Sequence, residues 1–140
     1  MNQKMLLPIL GVSILFVVSL NFFPYSVNAQ SGTLPVVLVH GYFEDASVWS
    51  TWEALLEVDD IQFYTVTFTN DDECGSTLEH AVELQDIIDN ILSISGSEKV
   101  NIVAHSKGGL DSRVYLSGGT DDVANLIMIG TPNLGSPLAF

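Results

Sequence analysis

The sequence predicts an α/β fold, a three-layer sandwich around a mostly parallel sheet. Three observations carry that prediction. Four short apolar runs rich in β-formers recur between Leu34 and Ile129. Stretches with one apolar helical side separate them, and Gly, Ser, Asn and Asp punctuate the junctions. Strands that alternate with helices of this length form βαβ units, and their right-handed crossovers leave neighbouring strands parallel.

Each element has its own signal. Pro35-Val36-Val37-Leu38-Val39 is a continuous apolar run, as expected of a strand covered on both faces, and His40-Gly41 ends it. Ala46 to Val58 places Val48, Trp49, Trp52, Leu55 and Leu56 at helical spacing. Ile61 to Phe68 alternates and carries Phe63, Tyr64, Val66 and Phe68, which predicts a second strand. After the polar loop Asn70–Gly75, Ser76 or Thr77 can cap a helix that has Glu79 or His80 in its first turn. Its apolar positions are Leu78, Val82, Leu84, Ile87, Ile88, Ile91 and Leu92, and it ends near Ser95-Gly96. Lys99–Ala104 predicts a third strand, Gly108–Leu116 a third helix and Val123–Ile129 a fourth strand. That last strand would present an open edge.

The N-terminus reads differently. One lysine, Lys4, precedes an apolar run from Met5 to Phe23, and Val27-Asn28-Ala29 offers small residues where signal peptidase reads. The expectation is an export signal over residues 1–29, cleavage after Ala29, and a secreted domain over residues 30–140. The competing reading is a membrane anchor over residues 5–23, since a spanning helix needs roughly 20 apolar residues.

Charge narrows the partners. The 140 residues carry 17 acidic side chains and a formal net charge of −13. Such a surface repels phosphate backbones, which argues against nucleic acid as a partner. Read blandly, it is a solvated acidic surface with no message about substrate. Cys74 is the single cysteine, so no disulfide forms within these residues, and a free thiol, an intermolecular partner or a partner in sequence absent here remains. There is no CxxC and no His/Cys cluster, so no metal site is expected, and nothing calls for a cofactor.

In parallel α/β sheets, ligands sit beyond the carboxyl ends of the strands. Two segments fall there. Ala104-His105-Ser106-Lys107-Gly108 lies between the third strand and the third helix and has the A-x-S-x-G form of a nucleophile elbow. Such a turn lifts the serine hydroxyl clear of the sheet and demands small residues two positions either side. Ala104 and Gly108 meet that demand. The helix start aims free N–H groups at the same place, so the amide of Lys107 is a candidate oxyanion donor. A serine here could also do no more than cap the helix. The second segment is His40-Gly41-Tyr42-Phe43, after the first strand.

With LVHGYF, VAHSKGGLDSR and IGTPNLGSP in that order, the chain resembles the α/β-hydrolases, and within them the small secreted lipases and esterases. The resemblance spans Pro35–Pro137. It implies Ser106 as the nucleophile of ester cleavage through an acyl-enzyme, and the Tyr42 amide as the second oxyanion donor. His40, Gly41, His105 and Gly108 would support the two turns. It implies a small-molecule or lipid ester as substrate, with transient contact to a lipid surface in the latter case. The Gly130-Thr131-Pro132 segment would help floor the cleft.

The family's order is serine, then an acidic residue, then histidine. All three histidines here precede Ser106. His40 belongs to the oxyanion turn, the His105 side chain should project away from the serine hydroxyl, and His80 is expected on a solvated helix surface. Asp111 lies on the helix after the serine, while Asp121 and Asp122 open the next strand at its wrong end, so none qualifies as the triad acid. The resemblance therefore implies a hydrolase domain cut short after its fourth strand. Three alternatives stay open: a non-catalytic relic, or a thioesterase or amidase of the same fold. A dinucleotide-binding domain fails because no G-x-G-x-x-G follows the first strand. Oligomeric state has no signature in the sequence.

Overall fold

The computed structural model describes residues 32–69 and 75–137. The expected export signal and Cys74 lie outside the described residues. Four strands are present: β1 (Val36–Val39), β2 (Phe63–Val66), β3 (Val100–His105) and β4 (Val123–Ile129). Three helices alternate with them: α1 (Ser50–Val58), α2 (Thr77–Ser95) and α3 (Lys107–Ser117). The sheet order is β2-β1-β3-β4, and every pairing is parallel.

Side-chain alternation along the strands builds two cores, one on each face. Val37 and Val39 of β1 join Val100, Ile102 and Ala104 of β3 against α2 and α3, through Leu84, Ile88, Ile91 and Tyr115. Leu38 and Val103 point the other way and meet Trp49 and Leu56. The three layers are thus α1, the sheet, and the α2/α3 pair. β4 closes the described sheet as an edge, with Ile127 more than half exposed.

Local chemistry sets the boundaries. Ser76, not Thr77, caps α2. Its hydroxyl accepts from the Glu79 amide at 3.2 Å, and the Glu79 carboxylate accepts from the Ser76 amide at 3.1 Å. This reciprocal box satisfies two helix-end donors at once. Gly96, at φ +69°, closes the helix in the left-handed region. The expected helix over Ala46–Val58 is divided. Asp45 caps a 3-10 turn over Ala46–Trp49, which tucks Trp49 under the sheet before α1 begins. β2 is shorter than the expected Ile61–Phe68 because its partner β1 pairs over only four residues, Val36↔Phe63 to Val39↔Val66.

The structure corrects the reading of His80. It is buried rather than solvated, with its ring stacked on Phe68 at 4.2 Å and 7°. The buried residues of α2 are His80, Ala81, Leu84, Ile88 and Ile91. His80 stands one helical turn before Leu84 and therefore on the inward stripe.

Candidate functional site

β3 delivers its chain to the carboxyl end of the sheet, and there the backbone turns sharply. Ser106 sits at φ +49°, ψ −122°, between the last residue of β3 and the first of α3. A non-glycine residue at positive φ costs about 1–3 kcal/mol and persists only where the surroundings hold it. Here the Ser106 amide donates to the Ile129 carbonyl at the end of β4 (2.9 Å), and the Gly109 amide donates to the Ser106 carbonyl (3.2 Å).

Glycines let the helix approach. A Cβ on Gly108 would run into the backbone carbonyls of His40 and Val39, and one on Gly109 into the Thr131 side chain. α3 therefore starts directly against the end of β1. The same closeness recurs at Gly41, where a Cβ would lie 2.8 Å from the Ser106 Cβ, 2.9 Å from Glu44 Oε2 and 3.3 Å from His105 Nδ1. The turn after β1 is thus packed on the serine. It contains a second non-glycine residue at positive φ, Phe43 (+56°), whose exposed ring lies against Tyr42 at 4.1 Å.

The histidines are held in three separate environments. His40 is buried, donates from Nδ1 to the Gly41 carbonyl (2.8 Å) and meets the edge of Phe68. His80 Nδ1 lies 2.9 Å from Lys107 Nζ and 3.0 Å from Asp111 Oδ2. His105 donates from Nδ1 to Glu44 Oε2 (2.8 Å), and its Nε2 edge faces Gly130. Among the described residues, none of these rings is hydrogen-bonded to the Ser106 hydroxyl. Asp122 is tied to Thr120 and Tyr115, at the opposite end of β4 from the elbow.

The side chain of Lys107 turns inward. Its ammonium donates to both carboxylate oxygens of Asp111 at 3.0 Å and lies against His80, so α2 and α3 are joined by a buried polar cluster just below the elbow. Asp111 was expected to lie on the helix without a triad role, and it does lie on the buried stripe of α3 with Gly108, Ser112 and Tyr115.

Glu44 is the residue that reading the sequence missed. Its Oε2 accepts from the Gly41 amide (2.8 Å) as well as from His105. Burial raises this carboxyl. The hydrogen bonds from His105 and Gly41, with the charge of His105 and His40, outweigh burial and hold it below the ordinary value. The spacing Gly41-x-x-Glu44 hints at a side-chain-to-backbone turn, but a partner 61 residues away leaves no local signal. Beside this pair lies an open depression of about 180 Å³ lined by Glu44, Val48, Trp49, Trp52, His105 and Ile129. Among the described residues there is no cluster of three or more His, Cys, Asp or Glu able to hold a metal ion. No helix among them is long and apolar enough to cross a membrane.

Comparison with known proteins places this geometry. The chain is 28% identical over 111 residues to a triacylglycerol lipase of Pseudarthrobacter phenanthrenivorans, a match covering 75% of this chain and 35% of that protein. It is 31% identical over 112 residues to a triacylglycerol lipase of Vibrio cholerae, covering 75% of this chain and 34% of the relative. The chain thus spans about a third of the length of these relatives. The mature Bacillus licheniformis lipase BlEst2 shares the fold, with a TM-score of 0.69 at 24% identity over 77% of this chain and 44% of that one. The sequence profile of the class 2 lipases matches residues 33–138. Because that match runs through the whole described sheet and both turns that meet at Ser106, the chain belongs to the class 2 lipase family of the α/β-hydrolase superfamily.

Proposed function

We propose that this chain carries the nucleophile and oxyanion hole of an exported carboxylic-ester hydrolase acting on lipid esters. The observation that carries the reading is Ser106 at positive φ on a strand-to-helix turn, with Gly41 packed on its Cβ, in a class 2 lipase. Ser106 Oγ attacks the ester carbonyl. The amides of Lys107, at the start of α3, and Tyr42, in the turn after β1, hold the oxyanion, and water then releases the acid from the acyl-enzyme. The first amides of a helix have no partner within it and carry its positive dipole end, which suits developing negative charge.

In this reading the histidine that takes the serine proton, and its carboxylate, are not among the described residues. The base would have to present Nε2 to Ser106, but Nε2 of His40 and of His80 is buried without a hydrogen-bond partner and Nε2 of His105 faces Gly130. Export is supported by the charge, apolar run and small residues of positions 1–29.

Because the reading needs a histidine and a carboxylate that none of the described residues supplies, the test is hydrolysis of p-nitrophenyl esters of graded acyl length by the protein purified from its native source and by its Ser106→Ala variant. The expected result is turnover that falls by about 1,000-fold or more in the variant. Turnover that survives Ser106→Ala refutes the nucleophile assignment. A protein inert toward esters, thioesters and amides alike is the non-catalytic relic instead.

A further inference from the structure

Two turns from distant parts of the chain must hold their amides at a fixed separation if they are to share one oxyanion. Hydrogen bonds to an oxyanion need donors about 2.7–3.1 Å from it, so drift of either turn costs rate. One turn follows β1 and the other follows β3. The ladder between these strands stops at Val39↔Ala104, short of both turns. Beyond that point one side chain spans them. Glu44 Oε2 accepts from the Gly41 amide in the first turn and from His105 Nδ1, the residue before Ser106, in the second, each at 2.8 Å. Gly41 is wedged between that carboxylate and the Ser106 Cβ. Phe43, left-handed between Gly41 and Glu44, bends the turn so that the glutamate folds back over it.

We propose that Glu44 is a positioning residue that clamps the oxyanion turn to the nucleophile elbow. Its hydrogen bonds run to Gly41 and His105 and not to Ser106. It acts through Gly41 and His105, and its kinetic consequence rests on Ser106 being the nucleophile. One carboxylate oxygen takes both bonds, so a glutamine, whose amide oxygen has the same reach, should hold the clamp, whereas alanine should release it.

The clamp is tested in the purified protein by amide hydrogen exchange at Gly41, followed by NMR in Glu44→Ala and Glu44→Gln. Losing a hydrogen bond to a charged acceptor should speed exchange at Gly41 by about tenfold or more in Glu44→Ala. Core amides of β1 and β3 should be unchanged, and Glu44→Gln should restore most of the protection. Unchanged exchange at Gly41 in Glu44→Ala overturns the proposal whether or not the protein turns over esters. On p-nitrophenyl esters, Glu44→Ala should lower kcat by about 10- to 100-fold with KM little changed, and Glu44→Gln should recover most of it. If Ser106→Ala abolishes turnover while Glu44→Ala leaves kcat intact, the clamp is wrong and the nucleophile stands. If turnover does not depend on Ser106, the nucleophile is wrong, and Gly41 exchange alone decides the clamp.

Discussion

Asp111→Ala should be among the most damaging single changes in this molecule, and the structure says by how much. The Asp111 side chain is 2% exposed. Its two oxygens accept from Lys107 Nζ at 3.0 Å, and Oδ2 lies 3.0 Å from His80 Nδ1. The ammonium also lies 2.9 Å from His80 Nδ1, so the carboxylate is the anion that both nitrogens share. Removing the carboxylate leaves the Lys107 ammonium without its anionic partner. Breaking a buried ion pair from one side typically costs about 3–5 kcal/mol. Lys107 keeps 19% side-chain exposure and can swing partly toward water, so about 2–4 kcal/mol is expected. For a domain of this size that corresponds to a fall in Tm on the order of 10–20 °C. Urea unfolding followed by tryptophan fluorescence would measure it, with the m-value checked for constancy. Lys107→Met combined with Asp111→Leu removes both charges together and should lie closer to the native protein than Asp111→Ala does. A loss below about 1 kcal/mol in Asp111→Ala would refute the claim that this cluster ties α2 to α3.

Other outcomes follow from the same geometry. Gly108→Ala drives a methyl into the carbonyls of Val39 and His40, which no rotamer change relieves. It should cost about 1–3 kcal/mol and, by displacing the turn after β1, lower kcat about 100-fold. Wild-type stability and rate in Gly108→Ala would show that the close approach is dispensable. Glu44 gives a pH dependence of defined sign. Its carboxyl lies below the ordinary value in the folded protein, so its stabilisation is present above the unfolded carboxylate pKa and is lost as pH falls through the folded value. The groups facing it are His105, His40 and the Gly41 amide. The Tm difference between the native protein and Glu44→Gln should hold steady from neutral pH down to about pH 5 and shrink below it. A difference that stays constant into strong acid would contradict the assignment.

Much of this architecture is written in periodicity. Apolar runs at Val36–Val39 and Ile102–Ala104 are what strands covered on both faces require, and the structure packs their alternate side chains into the two cores. The elbow was legible because it depends on neighbours along the chain: a strand end, a serine, a small residue two positions either side, and a helix start. His80 was misread although its stripe was visible. A histidine one turn before Leu84 occupies an inward position, and helical spacing outweighs the polar character of the residue.

Which segments become strands and helices, which faces are apolar, and the place of Ser106 at a carboxyl-end turn are all legible in the amino-acid order. These are properties of short windows, in which each residue interacts with neighbours one to four positions away. That β1 lies between β2 and β3 is a tertiary outcome, and the long-range polar contacts around the site depend on that order. It brings Glu44 to His105 across 61 residues and Lys107 to His80 across 27. The sheet order is set by burial summed over the whole chain, and no local pattern records which distant carboxylate a buried nitrogen will meet.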